Sequence, residues 1–195
     1  MRRLWARKSA LLLLLVLSAC SFGDRRVHLR LDRPLGEPAL PRGISILLEP
    51  PEDGRPEPHS VVGDVRSGVG VKTAEIVTDD NVRDWVRDTM AQELRHAGFL
   101  TAPAGNLGQA LRISTTIRAL SCREGIGFGA WATLEIRLHA DYGTILEKTY
   151  SWEDQHLLVT DRSNDEAVDS LHACLKALVS MFLQDLETIV ERSPD

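Results

Sequence analysis

Cysteine is scarce. The 195 residues include three, too few for a disulfide-dense scaffold or a four-cysteine metal site. Positive charge is also in deficit, with 23 lysines and arginines against 28 acids. The first nineteen residues hold four of those bases (Arg2, Arg3, Arg7 and Lys8) and no acid, so the rest of the chain carries 19 bases against 28 acids, a balance of −9. Such a chain is poorly matched to a polyanion, and nucleic acid is excluded as its main partner. The sequence also lacks an internal repeat, a low-complexity block and any apolar run long enough to span a bilayer. Charged residues at 26% and hydrophobic ones at 43% are those of a folded domain, not of a disordered or polytopic chain. The length suits a single core.

Signatures of catalysis are missing too. There is no HExxH and no GxSxG elbow, and the six histidines are scattered. Gly125-Ile126-Gly127-Phe128-Gly129-Ala130 fits a relaxed dinucleotide fingerprint, but that chemistry needs a helix N-terminus for the pyrophosphate, and here a strand is expected to follow. Gly63 and Gly68 have phosphate-loop spacing, yet Val69 stands where the lysine belongs. Asp154, His156 and Asp161 read as a solvated loop before a helix rather than as metal ligands. The expectation is a noncatalytic protein with no metal and no cofactor.

What is present begins at the N-terminus. Met1 to Lys8 form a basic region, and Ala10 to Leu17 form an apolar run of secretory length, too short to cross a membrane as a helix. Leu17-Ser18-Ala19-Cys20 resembles the lipobox of bacterial lipoproteins, in which the signal is removed before a cysteine bearing diacylglyceryl. The resemblance implies a signal peptide over 1–19 and a lipidated N-terminus at Cys20, with that covalent lipid as the chain's only prosthetic group. Several acyl chains hold firmly where one binds marginally. Residue 21 is serine, not the aspartate that marks inner-membrane retention in such lipoproteins, so in a two-membrane bacterium the expected place is the outer membrane, facing the periplasm.

Residues 20–43, broken by Pro34, Pro38 and Pro41, read as a flexible tether with a short strand near Val27 to Leu31. Residues 44–192 read as one α+β domain. Ile44–Leu48 and Val61–Arg66 suit strands, and Val71–Val77 suits a strand better than a helix without deciding between them. Val82, Trp85, Val86, Met90 and Leu94 recur at helical spacing between about Asp80 and Ala97, with Asp79 and Asp80 at the N-terminus and Gly98 as the stop. Leu111 to Ala119 and Leu134 to Leu138 alternate with period two, and Asp141-Tyr142-Gly143-Thr144 joins the second run to Ile145–Trp152, giving a three-stranded meander. Ser163 and Glu166 form a capping-box spacing ahead of a long apolar stripe from Val168 to Val190. Together these predict a mixed, mainly antiparallel sheet of about five strands with two helices packed on one face, the C-terminal helix long.

Three further features bear on a site. Cys122 and Cys174 remain after Cys20 is used, and an oxidising periplasm allows either a disulfide or two buried thiols. Glu93 falls in the apolar face of the first helix, which requires a partly exposed rim position, a pair with an arginine such as Arg55 or Arg66, or a ligand in a cleft. Trp85, Trp131 and Trp152 suit core or interface positions.

The order of the lipobox, the apolar first strand, Asp53-Gly54-Arg55, Val62-Gly63, Trp85-Val86 and Glu93-Leu94 closing on Gly98-Phe99 resembles the YajG-type family of bacterial lipoproteins, over about Ile44 to Val190. That resemblance implies an envelope lipoprotein and carries over no catalytic residue. Its expected partners are the membrane, through the acyl chains, and an envelope protein belonging to a transport or cell-wall assembly machine. The alternative is a lipid or small-ligand carrier with an apolar cavity between the sheet and the long helix.

Overall fold

A computed structural model of the chain describes residues 23–31, 39–102, 111–125, 127–156 and 164–192. Its strands are β1 (Arg25–Val27), β2 (Ser45–Leu48), β3 (Glu52–Asp53), β4 (Val61–Arg66), β5 (Lys72–Thr78), β6 (Leu100–Ala102), β7 (Leu111–Glu124), β8 (Phe128–Ala140) and β9 (Gly143–His156). Helix α1 (Val82–His96) lies between β5 and β6, and α2 (Asn164–Arg192) follows β9. Among the described residues no helix is long and apolar enough to cross a membrane.

β7 organises the sheet. Along one edge it pairs antiparallel with β8, and β8 pairs antiparallel with β9, which is the expected meander. Along its other edge three short strands take successive stretches, all parallel to it: Ile46 of β2 opposite Leu111, Glu52 of β3 opposite Thr116, and Gly63 of β4 opposite Cys122. β5 and then β1 extend the sheet beyond β4, and β6 extends it beyond β2. Among the described residues the sheet has nine strands where about five were expected. The excess comes mainly from β3 and β6, of two and three residues, too short to show a period, while β1 stands close to the short strand expected near Val27 to Leu31.

Both helices cover one face. In β8, Phe128, Ala130, Ala132, Leu134, Ile136 and Leu138 are buried, while the alternate side chains stay half-exposed on the open face. α2 lays Leu171, Leu175, Leu178 and Phe182 onto the covered face, each without exposed surface. α1 packs beside α2, and Met90 Sδ accepts from the Thr115 hydroxyl of β7 at 3.6 Å. Alternation in β7 slips one residue at Arg118, where a bulge opposes the Leu134–Thr133 step of β8. Ile113, Thr115 and Ile117 face the helices before the bulge; Leu120, Cys122 and Glu124 face them after it.

One expectation about α1 changes in detail, and its stop at Gly98 is as expected. Its N-cap is Asn81, whose side chain accepts from the amides of Arg83 and Asp84 at 3.1 and 3.4 Å. Asp80 instead accepts from the Leu29 amide at 2.7 Å, tying down the N-terminal strand segment. At the other end Gly98, at φ +88°, donates to Arg95 O and Phe99 to Leu94 O, both at 3.0 Å, closing the helix in a Schellman turn.

The expected tether over 20–43 is correspondingly shorter. Arg25–Val27 is a strand, Val27 and Leu29 are buried, and Arg25 pairs with Glu124 inside the sheet end. Ala39 and Arg42 donate their amides to His96 O and Gly98 O, each at 2.8 Å, so this segment also belongs to the domain. Gly98→Ala would force a side chain into a left-handed conformation and place Cβ 2.4 Å from Leu40 O. The expected loss is about 2 kcal/mol, read as a lowered urea midpoint with an unchanged slope.

Candidate functional site

The residue expected to carry the lipid, Cys20, lies outside the described residues, as do Ser163 and Asp161. Cys122 and Cys174 are free and buried. The Cys122 thiol donates to Val62 O at 3.4 Å, and the Cys174 thiol donates to Ala130 O at 3.3 Å. Cys122 and Ala130 are register partners, so both thiols lie on the covered side of one stretch of sheet. Burial pushes the Cys122 thiol up to about 12 and the Cys174 thiol up to about 11, which leaves neither as a thiolate nucleophile at neutral pH. Both should resist a water-soluble alkylating reagent in the folded protein and react once it is unfolded, a difference that mass spectrometry of intact protein reads directly. Rapid alkylation of either thiol without unfolding would contradict the burial.

Glu93 meets neither Arg55 nor Arg66. It is 7% exposed and pairs with Lys176 of α2 at 3.2 Å, which makes it a bridge between the two helices. Arg66 pairs with Asp64, and Arg55 with Asp53. Trp85 is buried and donates its indole N–H to Arg30 O at 3.4 Å. Trp152 is 45% exposed on the helix side of β9. Gly125 donates to Gly127 O at 2.8 Å and β8 begins at Phe128, so a strand and not a helix N-terminus follows these glycines. Among the described residues no three histidines, cysteines or carboxylates come together as a metal site.

The open face of the sheet does present a built depression. At the end formed by the β4–β5 and β7–β8 turns, Arg66, Arg123, Gly129, Trp131, Glu153 and Gln155 enclose about 360 Å³. Asp64 Oδ1 accepts from Arg66 Nε at 2.7 Å and from Arg123 Nε at 3.3 Å, so one carboxylate fixes two guanidinium groups. Burial alone would raise the Asp64 carboxyl, but the Arg66 hydrogen bond and the Arg123 charge outweigh it and hold the group below the usual carboxylate range. The Arg123 guanidinium lies over the Trp131 ring at 5.0 Å. Glycines at 125, 127 and 129 keep the floor free of side chains. A second depression, of about 520 Å³, shares Arg123, Trp131 and Glu153 and adds Thr133 and Ser151. Together they form an aromatic and arginine surface beside open glycine backbone, with guanidinium donors that can meet a polar or acidic group.

This arrangement could not be read from the sequence, because it depends on the Arg118 bulge. The bulge turns Ser121 and Arg123 to the open face, where an unbroken alternation from Leu111 would have pointed them inward. The available signal was the restart of alternation out of phase, with Leu120 and Cys122 following the polar pair Thr116 and Arg118.

No family model matches the sequence, and no curated protein is detectably similar to it. Solved structures do share its fold. An uncharacterized protein superposes with a TM-score of 0.56 at 11% identity, covering 84% of this chain and 99% of that one. Protein XCC0632 from Xanthomonas campestris, of the family DUF330, superposes with a TM-score of 0.54 at 10% identity, over 83% of this chain and 91% of its own. Lipoprotein GNA1162 from Neisseria meningitidis matches at 13% identity over 77% of this chain and 99% of that one, but with a TM-score of 0.38 it carries no argument. At such identities the likeness to the first two establishes the fold alone.

Proposed function

We propose that this chain is a noncatalytic envelope lipoprotein of the YajG type, held by acylated Cys20 to the periplasmic face of the outer membrane of a two-membrane bacterium. There it serves as an accessory or binding module for a transport or cell-wall assembly machine. One observation carries the reading: the basic segment, the apolar run and Leu17-Ser18-Ala19-Cys20 stand in the order and at the distances that lipoprotein processing requires. The Arg66, Arg123 and Trp131 surface supports it by offering the partner a preformed, partly apolar patch on the side of the sheet away from the helices.

The carrier reading has less support. The space between sheet and α2 is filled by Ile113, Ile117, Leu134, Ile136, Leu138, Leu175 and Phe182, all without exposed surface, where a ligand cavity needs about 300 Å³ of open apolar volume. The test uses a photo-crosslinking residue at Trp131 in the lipidated protein in its native envelope, with Cys20→Ala in parallel. The expected result is a dominant protein adduct with the wild-type anchor and loss of the domain from membranes in Cys20→Ala. Retention of Cys20→Ala on membranes, or lipid adducts without a protein one, would refute the proposal.

A further inference from the structure

We infer that the β4–β5 turn, with Val69 and Val71 at its tip, rests in the headgroup layer of the membrane that holds Cys20, so that the domain is docked on the bilayer in one orientation. The inference rests on the lipidation of Cys20 proposed above. β1 is parallel to β5, with Arg25 opposite Ile76. The chain upstream of Arg25 therefore heads the same way as the chain upstream of Ile76, toward the β4–β5 turn, and the Glu75 amide donating to Asp24 Oδ1 at 3.3 Å holds it there. Arg25 stands five positions after Cys20, with four residues between them, a reach of at most about 17 Å. Along β5, four residues from Ile76 back to Lys72 cover about 13 Å, and the Ser67–Val71 turn stands beyond that. The turn thus extends about as far as the anchor can.

At that level the turn exposes two apolar side chains, Val69 at 86% and Val71 at 61%. Ser67, Gly68 and Gly70 surround them with small groups, and Arg66 and Lys72 flank the turn at its two strand ends. Apolar tips flanked by cations suit the interface of a bilayer, where the valines leave water while Arg66, bonded to Asp64 at 2.7 Å, and Lys72, bonded to Glu75 at 2.6 Å, turn their remaining N–H groups to phosphates. The Asn164 side chain donates to Arg26 O at 2.9 Å, which ties the start of α2 to β1. Docking at this end would place the Arg66–Arg123 depression beside the membrane surface and leave the β8–β9 hairpin, with Tyr142 83% exposed, as the far end of the molecule.

The test labels Val69→Cys and, separately, Val71→Cys with an environment-sensitive fluorophore in the full-length acylated protein, reconstituted in vesicles of phosphatidylethanolamine with a minority of phosphatidylglycerol. Tyr142→Cys serves as the far-end control, and the unsubstituted protein checks that buried Cys122 and Cys174 take no label. Acylation of Cys20 is read on each sample by mass spectrometry. The expected result is a several-fold rise and blue shift of emission at 69 and 71 on vesicle binding, quenched by nitroxide lipids, with no change at 142. With Cys20 acylated, equal water exposure at 69, 71 and 142 would overturn the docking while leaving the anchor standing. Shielding at 69 without quenching by lipid would also overturn it, because a protein would then cover the tip. An unacylated Cys20 on protein that stays off vesicles would bring down the anchor and the docking together.

Discussion

Leu175→Asp is expected to abolish cooperative folding. Leu175 has no exposed surface and lies in the middle of the α2 face applied to the sheet. Removing the side chain alone costs about 2–5 kcal/mol through lost burial and the cavity left behind. The new carboxylate adds the cost of desolvating an unpaired charge, and together these match the whole stability of an ordinary domain, about 5–15 kcal/mol. Circular dichroism should show lost near-ultraviolet signal and no thermal transition. Leu175→Ala should stay folded with a lower midpoint, and Leu183→Asp, on the half-buried rim of the same helix, should lose less. The same series bears on the carrier reading, since a helix that lifts from the sheet to admit a ligand would accept water around an aspartate. An unfolding midpoint for Leu175→Asp equal to that of the wild type would mean that the α2 packing described above is wrong.

The contrast between α2 and the small strands explains how much of the fold the sequence revealed. α2 spans eight turns, so its apolar stripe from Val168 to Leu186 repeats often enough to define a face without reference to any other element. β8 shows six inward residues in strict alternation, and its hairpin turn marks its own end. β1, β3 and β6 have no such repetition. β3 and β6 are strands only because β7 and β2 offer them hydrogen-bonding edges, a tertiary cause invisible in two or three residues. The site behaves likewise. Sequence could require that buried Glu93 have a partner, but Lys176 lies on the other helix, far along the chain, and nothing near Glu93 announces it. Asp64, Arg66, Arg123 and Trp131 come from three strands, and the Arg118 bulge decides which way Arg123 points.

Arg55→Ala is expected to cost about 3–5 kcal/mol, far more than an ordinary surface arginine. Asp53-Gly54-Arg55 folds into a closed clamp: Arg55 Nε and Nη2 donate to the two Asp53 oxygens at 2.8 and 2.7 Å, Nη1 donates to Val61 O at 3.2 Å, and Nη2 also donates to His59 O at 2.6 Å. Both side chains are over nine-tenths buried, so the guanidinium satisfies the loop from 54 to 61 and fixes the approach to β4. Gly54 fits because a Cβ there would press on Thr116 at 3.1 Å. Truncating Arg55 strands a carboxylate and two carbonyls, whereas Asp53→Asn combined with Arg55→Met removes both charges and should recover part of the loss. Acid should narrow the difference. Burial alone would raise the Asp53 carboxyl, but the Arg55 hydrogen bonds and charge hold it below 3.8, so the clamp's contribution is complete above that value and fades as pH falls through the folded one. In Arg55→Ala only burial and the neighbouring His59 remain, and protonating Asp53 then relieves the buried charge instead of breaking a pair. Urea midpoints measured from neutral pH down to about 3 should therefore converge for the two proteins. A constant gap across that range, or a loss below about 1 kcal/mol at neutral pH, would show that the clamp is solvated in solution and does not hold the loop.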